Sequence, residues 1–269
     1  LFISTIIFNF DYLIHIIFIF IISINNSCII WYFINIIFFK FIYKIKFTKI
    51  IYMHETVQNL INIQNELKQK LSNDNQIPNI IAVSKTFKIN HINHLIEFGH
   101  LHYGENKVQE ALEKWTEIKK NNDQIKLHLI GKLQSNKVKF AVKLFDYIHS
   151  LDSEKLAKKI SDIQNQNNIS TKIFIQVNIG DENQKTGINK KNLNDFFNYC
   201  KELNLNIIGL MCIPPVDKDS KFFFKEMNEL KTQLKLGDLS MGMSADYIEA
   251  TNFGSTYLRI GSNIFGSRY

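Results

Sequence analysis

Past residue 52 the chain switches repeatedly between two hydrophobic periods. Val57, Leu60, Ile61, Ile63, Leu67 and Leu71 recur at helical spacing and predict an amphipathic helix. The short apolar run at Asn79–Val83 predicts a buried strand. Further strands are predicted at Leu101–Tyr103, Leu127–Ile130, Phe145–His149, Thr171–Val177, Asn206–Met211, Gly237–Ser240 and Thr256–Arg259. Helical patterns fall around Ile92, Leu95 and Ile96, and over 106–120, 134–142, 153–167, 190–203, 219–235 and 245–252. Eight short strands alternating with helices imply parallel pairing through crossover helices. Eight such units close into an α/β fold, the (β/α)8 or TIM barrel. A doubly wound open sheet is the alternative.

Nine of the 11 glycines sit at or just after predicted strand ends: Gly104, Gly131, Gly180, Gly187, Gly209, Gly242, Gly254, Gly261 and Gly266. Polar residues join them there, among them Ser84-Lys85-Thr86, Glu105-Asn106, Ser150, Ser240, Ser244 and Arg259. On a barrel these positions are expected to share the C-terminal rim, where barrel enzymes place their sites.

Residues 1–52 read differently. They carry one acid, Asp11, and four lysines, Lys40, Lys44, Lys46 and Lys49, together with 10 of the 22 phenylalanines. Two readings stay open: upstream sequence translated by mistake, which is preferred because Met53 opens the first amphipathic segment, or a membrane anchor, which the uncharged run between Asp11 and Lys40 is long enough to form. Residues 53–269 have a comfortable length for one barrel. The net charge of +7 comes from scattered lysines, a weak argument for nucleic acid. Three widely spaced cysteines, Cys28, Cys200 and Cys212, offer neither zinc-ligand spacing nor a disulfide framework and point to a reducing compartment.

Arg259 and Arg268 are the two arginines in a chain that otherwise uses lysine. Arginine brings a planar fork of donors and a fixed charge, so Arg259, at the end of an apolar strand, is a candidate site residue. Lys85 follows the strand Ile80–Ser84, where a partly desolvated amine serves as a nucleophile toward aldehydes. Glycines and serines near the eighth strand offer backbone N–H groups to a phosphate. A Schiff-base lysine, a phosphate cradle and an arginine together suggest pyridoxal 5'-phosphate. Neither a G-x-G-x-x-G fingerprint nor a P-loop appears, which argues against dinucleotides and nucleoside triphosphates.

Seven blocks sharpen this picture: Ala82–Thr86, Tyr103–Glu110, His128–Lys137, Val177–Gly187, Gly209–Pro215, Leu239–Tyr247 and Gly254–Arg268. In order and spacing they resemble the pyridoxal phosphate homeostasis protein (YggS/PROSC) family, over residues 53–269. That family is similar to the barrel domain of alanine racemase, the fold-type III class of PLP-binding barrels. The resemblance implies that Lys85 holds the cofactor as a Schiff base and that Arg259 faces its pyridine nitrogen. It implies that Ser244 and the backbone of Gly261 and Ser262 hold the phosphate, with Asn106 near the ring. Two departures, Leu127 for a common tryptophan and Cys212 for a common threonine, are expected to touch no cofactor contact. Lys132 is expected to be a surface charge. No metal site is expected.

An arginine at the pyridine nitrogen opposes its protonation and weakens the ring as an electron sink. Racemisation needs a base on each face of the substrate, and the racemases draw one from a second domain for which this sequence has no length after the eighth strand. The expectation is a cytoplasmic, monomeric protein of intracellular PLP (vitamin B6) homeostasis, holding PLP without efficient catalysis. PLP-dependent apoenzymes are its possible partners. A small PLP-dependent amino-acid racemase is the alternative.

Overall fold

The computed structural model describes residues 53–71, 77–182 and 186–267. The hydrophobic stretch 1–52 and Arg268 lie outside them, and so do the expectations attached to those residues. The barrel unit begins at His54.

Helix α1 (Glu55–Lys70) opens the unit, with the His54 ring accepting from the Thr56 amide and Lys68 and Lys70 in its last turn, where cations complement the helix dipole. It buries Val57, Leu60, Ile63 and Leu67 on one stripe. The alternating elements follow: β1 (Asn79–Val83), α2 (Ile89–Glu97), β2 (His102–Glu105), α3 (Val108–Asn121), β3 (Lys126–Leu129), α4 (Val138–Leu144), β4 (Tyr147–Leu151) and α5 (Glu154–Asn167). The second half comprises β5 (Lys172–Val177), α6 (Leu193–Glu202), β6 (Ile207–Cys212), α7 (Ser220–Gln233), β7 (Asp238–Met243), α8 (Tyr247–Asn252), β8 (Tyr257–Ile260) and a short α9 (Ser262–Phe265). All eight strands pair in parallel, in sequence order, and β8 returns to β1 to close the barrel. The (β/α)8 expectation holds, and the open sheet does not.

Alternation divides each strand between two environments. Ile81, Tyr147, Phe174, Met211 and Tyr257 meet in the barrel interior. Residues such as Leu127, Leu129 and Leu258 are fully buried as well. Full burial of such a side chain contributes about 1.5–3 kcal/mol. The closing register sets Ile81 opposite Arg259, so the first and last strands carry neighbouring parts of one rim. Behind that seam α1 packs on α9, where the Asn59 side-chain amide donates to the Ile264 carbonyl at 3.1 Å.

Several boundaries differ from expectation. β2 runs on through Gly104 and Glu105, β4 through Ser150 and β7 through Gly242, all expected to follow or end strands. Parallel pairing around the ring carries these strands on; a Cβ on Gly104 would lie 2.8 Å from Ile81. Phe145 closes α4 instead of opening β4, its amide donating to the Ala141 carbonyl. The helix expected over 134–142 begins as a 3-10 turn, Ser135–Lys137. The shared rim is also narrower than expected. Gly209 sits inside β6, where a Cβ would run into the Asp238 carbonyl, and Gly254 (φ +77°) turns the chain before β8, at the opposite end of the barrel.

Among the described residues no helix is long and apolar enough to cross a membrane, and no group of three or more His, Cys, Asp or Glu side chains could hold a metal ion.

Candidate functional site

Lys85, Asn106, Ser244, Arg259, Gly261 and Ser262 all line one cavity of about 470 Å³ at the C-terminal ends of β1, β2, β7 and β8. Val83, Ile130, Ile213 and Met243 give it apolar walls. The six residues singled out from the sequence are therefore neighbours in space, although the first and last are separated by most of the barrel's sequence.

Lys85 leaves β1 at a sharp turn. Thr86 takes a left-handed conformation (φ 69°) and the Phe87 amide donates back to the Ser84 carbonyl at 3.2 Å. The turn is clamped on both sides. The Ser84 hydroxyl donates to Glu105 Oε1 at 2.7 Å, Lys114 Nζ donates to the Ser84 carbonyl at 2.9 Å, and the Thr86 amide donates to Glu110 Oε1 at 2.7 Å. Lys114 ties the two acids together, at 2.9 Å from Glu105 and 3.1 Å from Glu110. Trp115 Nε1 donates to the same Glu105 oxygen at 3.0 Å. Left-handed backbone is costly for a non-glycine residue and persists where the surroundings over-determine it.

Arg259 is buried among neutral acceptors. Its NH1 donates to the Ser240 carbonyl at 2.6 Å and the Ser240 hydroxyl at 2.7 Å, and its NH2 donates to the Cys212 carbonyl at 2.8 Å. Among the described residues none accepts from its Nε or from the second NH2 proton, and no carboxylate reaches ion-pair distance. Burial pulls the Arg259 pKa down, while the Cys212 thiol and Asp246 act weakly in the other direction. A buried cation balanced only by neutral groups is expensive. The site thus suits an electron-rich or anionic ligand placed against the two remaining donors. Cys212 was expected to touch no such contact; its backbone carbonyl does, so the contact survives whichever side chain stands there.

Ser244 joins the last loop: the Gly261 amide donates to its hydroxyl at 3.4 Å and the Asn263 side chain donates to its carbonyl at 2.9 Å. Asn106 follows β2 and is braced from below by Gly131. A Cβ on Gly131 would strike the Asn106 carbonyl and lie 2.8 Å from its Cα. Gly131→Ala is expected to lower stability by about 1–3 kcal/mol through this backbone clash. Thermal unfolding reads it; an unchanged midpoint would show that the Asn106 segment yields without cost. Lys132 is exposed, as expected.

Sequence reasoning gave no role to a column of imidazoles beneath the cavity. His102 Nδ1 lies 2.9 Å from His128 Nε2, His128 Nδ1 lies 2.9 Å from His149 Nε2, and His149 Nδ1 lies 2.9 Å from the Ser240 hydroxyl that Arg259 contacts. Tyr147 stacks on His128 and Phe174 on His149, with ring centroids 4.2 and 4.3 Å apart. Burial comes first in holding His128 and His149 well below the ordinary histidine range, followed by the neighbouring imidazoles and Lys119 at His128 and by Arg259 at His149. The available signal was a polar residue at an inward position of each of two apolar strands, Leu127-His128-Leu129 and Tyr147-Ile148-His149.

Residues 58–269 match the family model described as alanine racemase, N-terminal domain. The pyridoxal phosphate homeostasis protein of Aquifex aeolicus (strain VF5) is 39% identical over 199 residues, covering 70% of this chain and 86% of that one. Its counterpart in Escherichia coli (strain K12) is 32% identical over 229 residues, covering 80% and 98%. The structure of PipY from Synechococcus elongatus PCC7942 with PLP bound superposes with a TM-score of 0.69 at 32% identity, over 78% of this chain and 100% of that one. An alanine racemase of Clostridium difficile 630 shares the fold at 15% identity, with a TM-score of 0.62 over 80% of this chain and 57% of that one.

Proposed function

Because the chain belongs to the pyridoxal phosphate homeostasis protein family, built on the alanine racemase N-terminal domain, we propose that it binds pyridoxal 5'-phosphate at Lys85 and serves PLP homeostasis as a carrier. The observation that carries this reading is the convergence of Lys85 and a buried, partly undischarged Arg259 on one cavity. The relative solved with PLP bound supports the same ligand. When bound, the cofactor supplies an aldehyde that condenses with a primary amine and a pyridine ring that withdraws electrons.

Each residue has a separable task in this proposal. The clamped turn presents the Lys85 ε-amino group to the aldehyde. Arg259 would offer a remaining donor to the pyridine nitrogen, and its fixed charge would oppose protonation there. Ser244 and the Gly261 and Ser262 amides would hold the phosphate, the Gly261 amide giving up its long 3.4 Å bond to the Ser244 hydroxyl, and Asn106 would border the ring. Inverting an amino acid takes a base on each face of its α-carbon. Among the described side chains lining the cavity, Lys85 is the one that can serve as a base, which favours carriage over racemisation. The proposal places this function in residues 53–269, in the cytoplasm and as a monomer, with PLP-dependent apoenzymes as recipients.

The test is borohydride reduction of the protein incubated with PLP, followed by peptide mapping. Label on Lys85, and its absence in Lys85→Ala, is the expected result. Label spread over surface lysines, with no absorbance band above that of free cofactor, would overturn it.

A further inference from the structure

The imidazole column and Arg259 form one continuous hydrogen-bonded line, and the need to pair every buried proton favours one direction along it. A guanidinium donates and never accepts. Arg259 NH1 donates to the Ser240 hydroxyl oxygen, so the hydroxyl proton is directed away from it. Among the described residues the acceptor within reach is His149 Nδ1, 2.9 Å away. The hydroxyl's second lone pair could accept from His149, but its own buried proton would then lack an acceptor; donation to Nδ1 satisfies both groups and puts the His149 proton on Nε2, facing His128 Nδ1 at 2.9 Å. The same logic puts the His128 proton on Nε2, donating to His102 Nδ1 at 2.9 Å, and the His102 proton on its own Nε2. One arginine thus favours the same tautomer at three histidines.

This direction has an electrostatic consequence. Every group in the line turns its lone pair toward Arg259 and its proton away. Hydrogen bonds in such a chain polarise one another and strengthen. The line therefore stabilises a buried guanidinium without a carboxylate. A carboxylate in contact would cancel most of the charge that Arg259 presents to the cavity; a neutral column leaves that charge in place. The bond from NH1 to Ser240 also fixes the plane of the fork, and with it the direction of the Nε and NH2 donors that remain.

We infer that Ser240, His149 and His128 are positioning residues that orient Arg259 toward the cofactor and preserve its full charge through a neutral hydrogen-bond column of fixed polarity. The part of this inference that concerns the cofactor rests on the function proposed above; the polarity of the column does not.

Two measurements on the full chain test it. Long-range proton–nitrogen correlation spectra of the unliganded wild-type protein distinguish the histidine tautomers. Protons on Nε2 of His149, His128 and His102 are expected, and a proton on Nδ1 of His149 would overturn the inference with or without a cofactor. Second, Ser240→Ala cuts the line beside Arg259. About a ten-fold loss of PLP affinity is expected from losing a hydrogen bond to a charged group, with a shifted absorbance maximum of the bound cofactor and borohydride label still on Lys85. An unchanged affinity and spectrum would overturn the positioning role. If the wild-type protein bound no PLP, the proposed function would fail while the tautomer spectra still decided the column. If Ser240→Ala failed to fold, those spectra together with His149→Gln, read by the same affinity and absorbance, would decide it.

Discussion

Between pH 7 and pH 5 the unliganded barrel is expected to lose stability, about 2 kcal/mol of it from His100 alone, with His128 and His149 adding to the loss in the same direction. His100 is pulled down to about 4, first by burial and then by His102, while His128 and His149 lie well below the ordinary range. In the unfolded chain each returns to about 6.5. The sign follows from proton counting. Below pH 6.5 the unfolded chain binds protons that the folded chain refuses, so falling pH favours unfolding. The contribution is fully present above the unfolded value and is lost progressively as pH falls below it, for His100 toward pH 4 and by about 2 kcal/mol at pH 5. The His100 share alone is a sizeable fraction of the stability of an ordinary domain, about 5–15 kcal/mol. Urea unfolding at pH 7, 6 and 5 measures it. A flat profile would mean that the interior imidazoles accept protons without opening the barrel, contrary to the burial described above.

The second large effect lies in the clamp behind Lys85. Lys114→Met is expected to cost about 3–5 kcal/mol, because it leaves the Glu105 carboxylate buried without its cation. Glu105 is wholly inaccessible, the Lys114 side chain is 8% exposed, and the second carboxylate oxygen of Glu105 already lacks a partner among the described residues. Adding Glu105→Gln should recover part of the loss: the amide oxygen still accepts from Ser84 and Trp115 and brings no charge. The two variants therefore separate charge from packing. Equal destabilisation of the single and double variants, in urea unfolding at pH 7, would count against the electrostatic account. The single variant should also weaken labelling of Lys85, since Lys114 holds the Ser84 carbonyl one residue before it.

The parts of the molecule visible from the sequence share a property: they are local. Strand and helix alternation appears in the spacing of apolar residues, and the rarity of arginine marked Arg259 without any knowledge of its neighbours. Ring closure then placed Lys85, Asn106, Ser244, Arg259, Gly261 and Ser262 around one cavity. What stayed hidden depends on pairs distant in sequence. Glu105 looked like a rim residue and proves to be the buried hub of a clamp, because Lys114 and Trp115 reach it from the next helix. His149 and Ser240 lie 91 residues apart and meet only across the interior. Gly104, Ser150 and Gly242 read as strand ends because their residue types favour turns, and pairing in a closed sheet overrides that preference. Gly254 carried the same residue signal as the rim glycines, and nothing in its immediate sequence revealed which end of the barrel it occupies.

The seam between β1 and β8 makes assembly of the site an all-or-nothing event. A ribosome delivers Lys85 well before Arg259, and each strand alone offers part of a pocket. Affinity for a ligand spanning both emerges only when the final strand docks against the first, so occupancy reports completed maturation. By mass action a molecule bound there draws the newly made chain toward the closed form. A shortage of that ligand would then be felt first by the population still searching for its last strand.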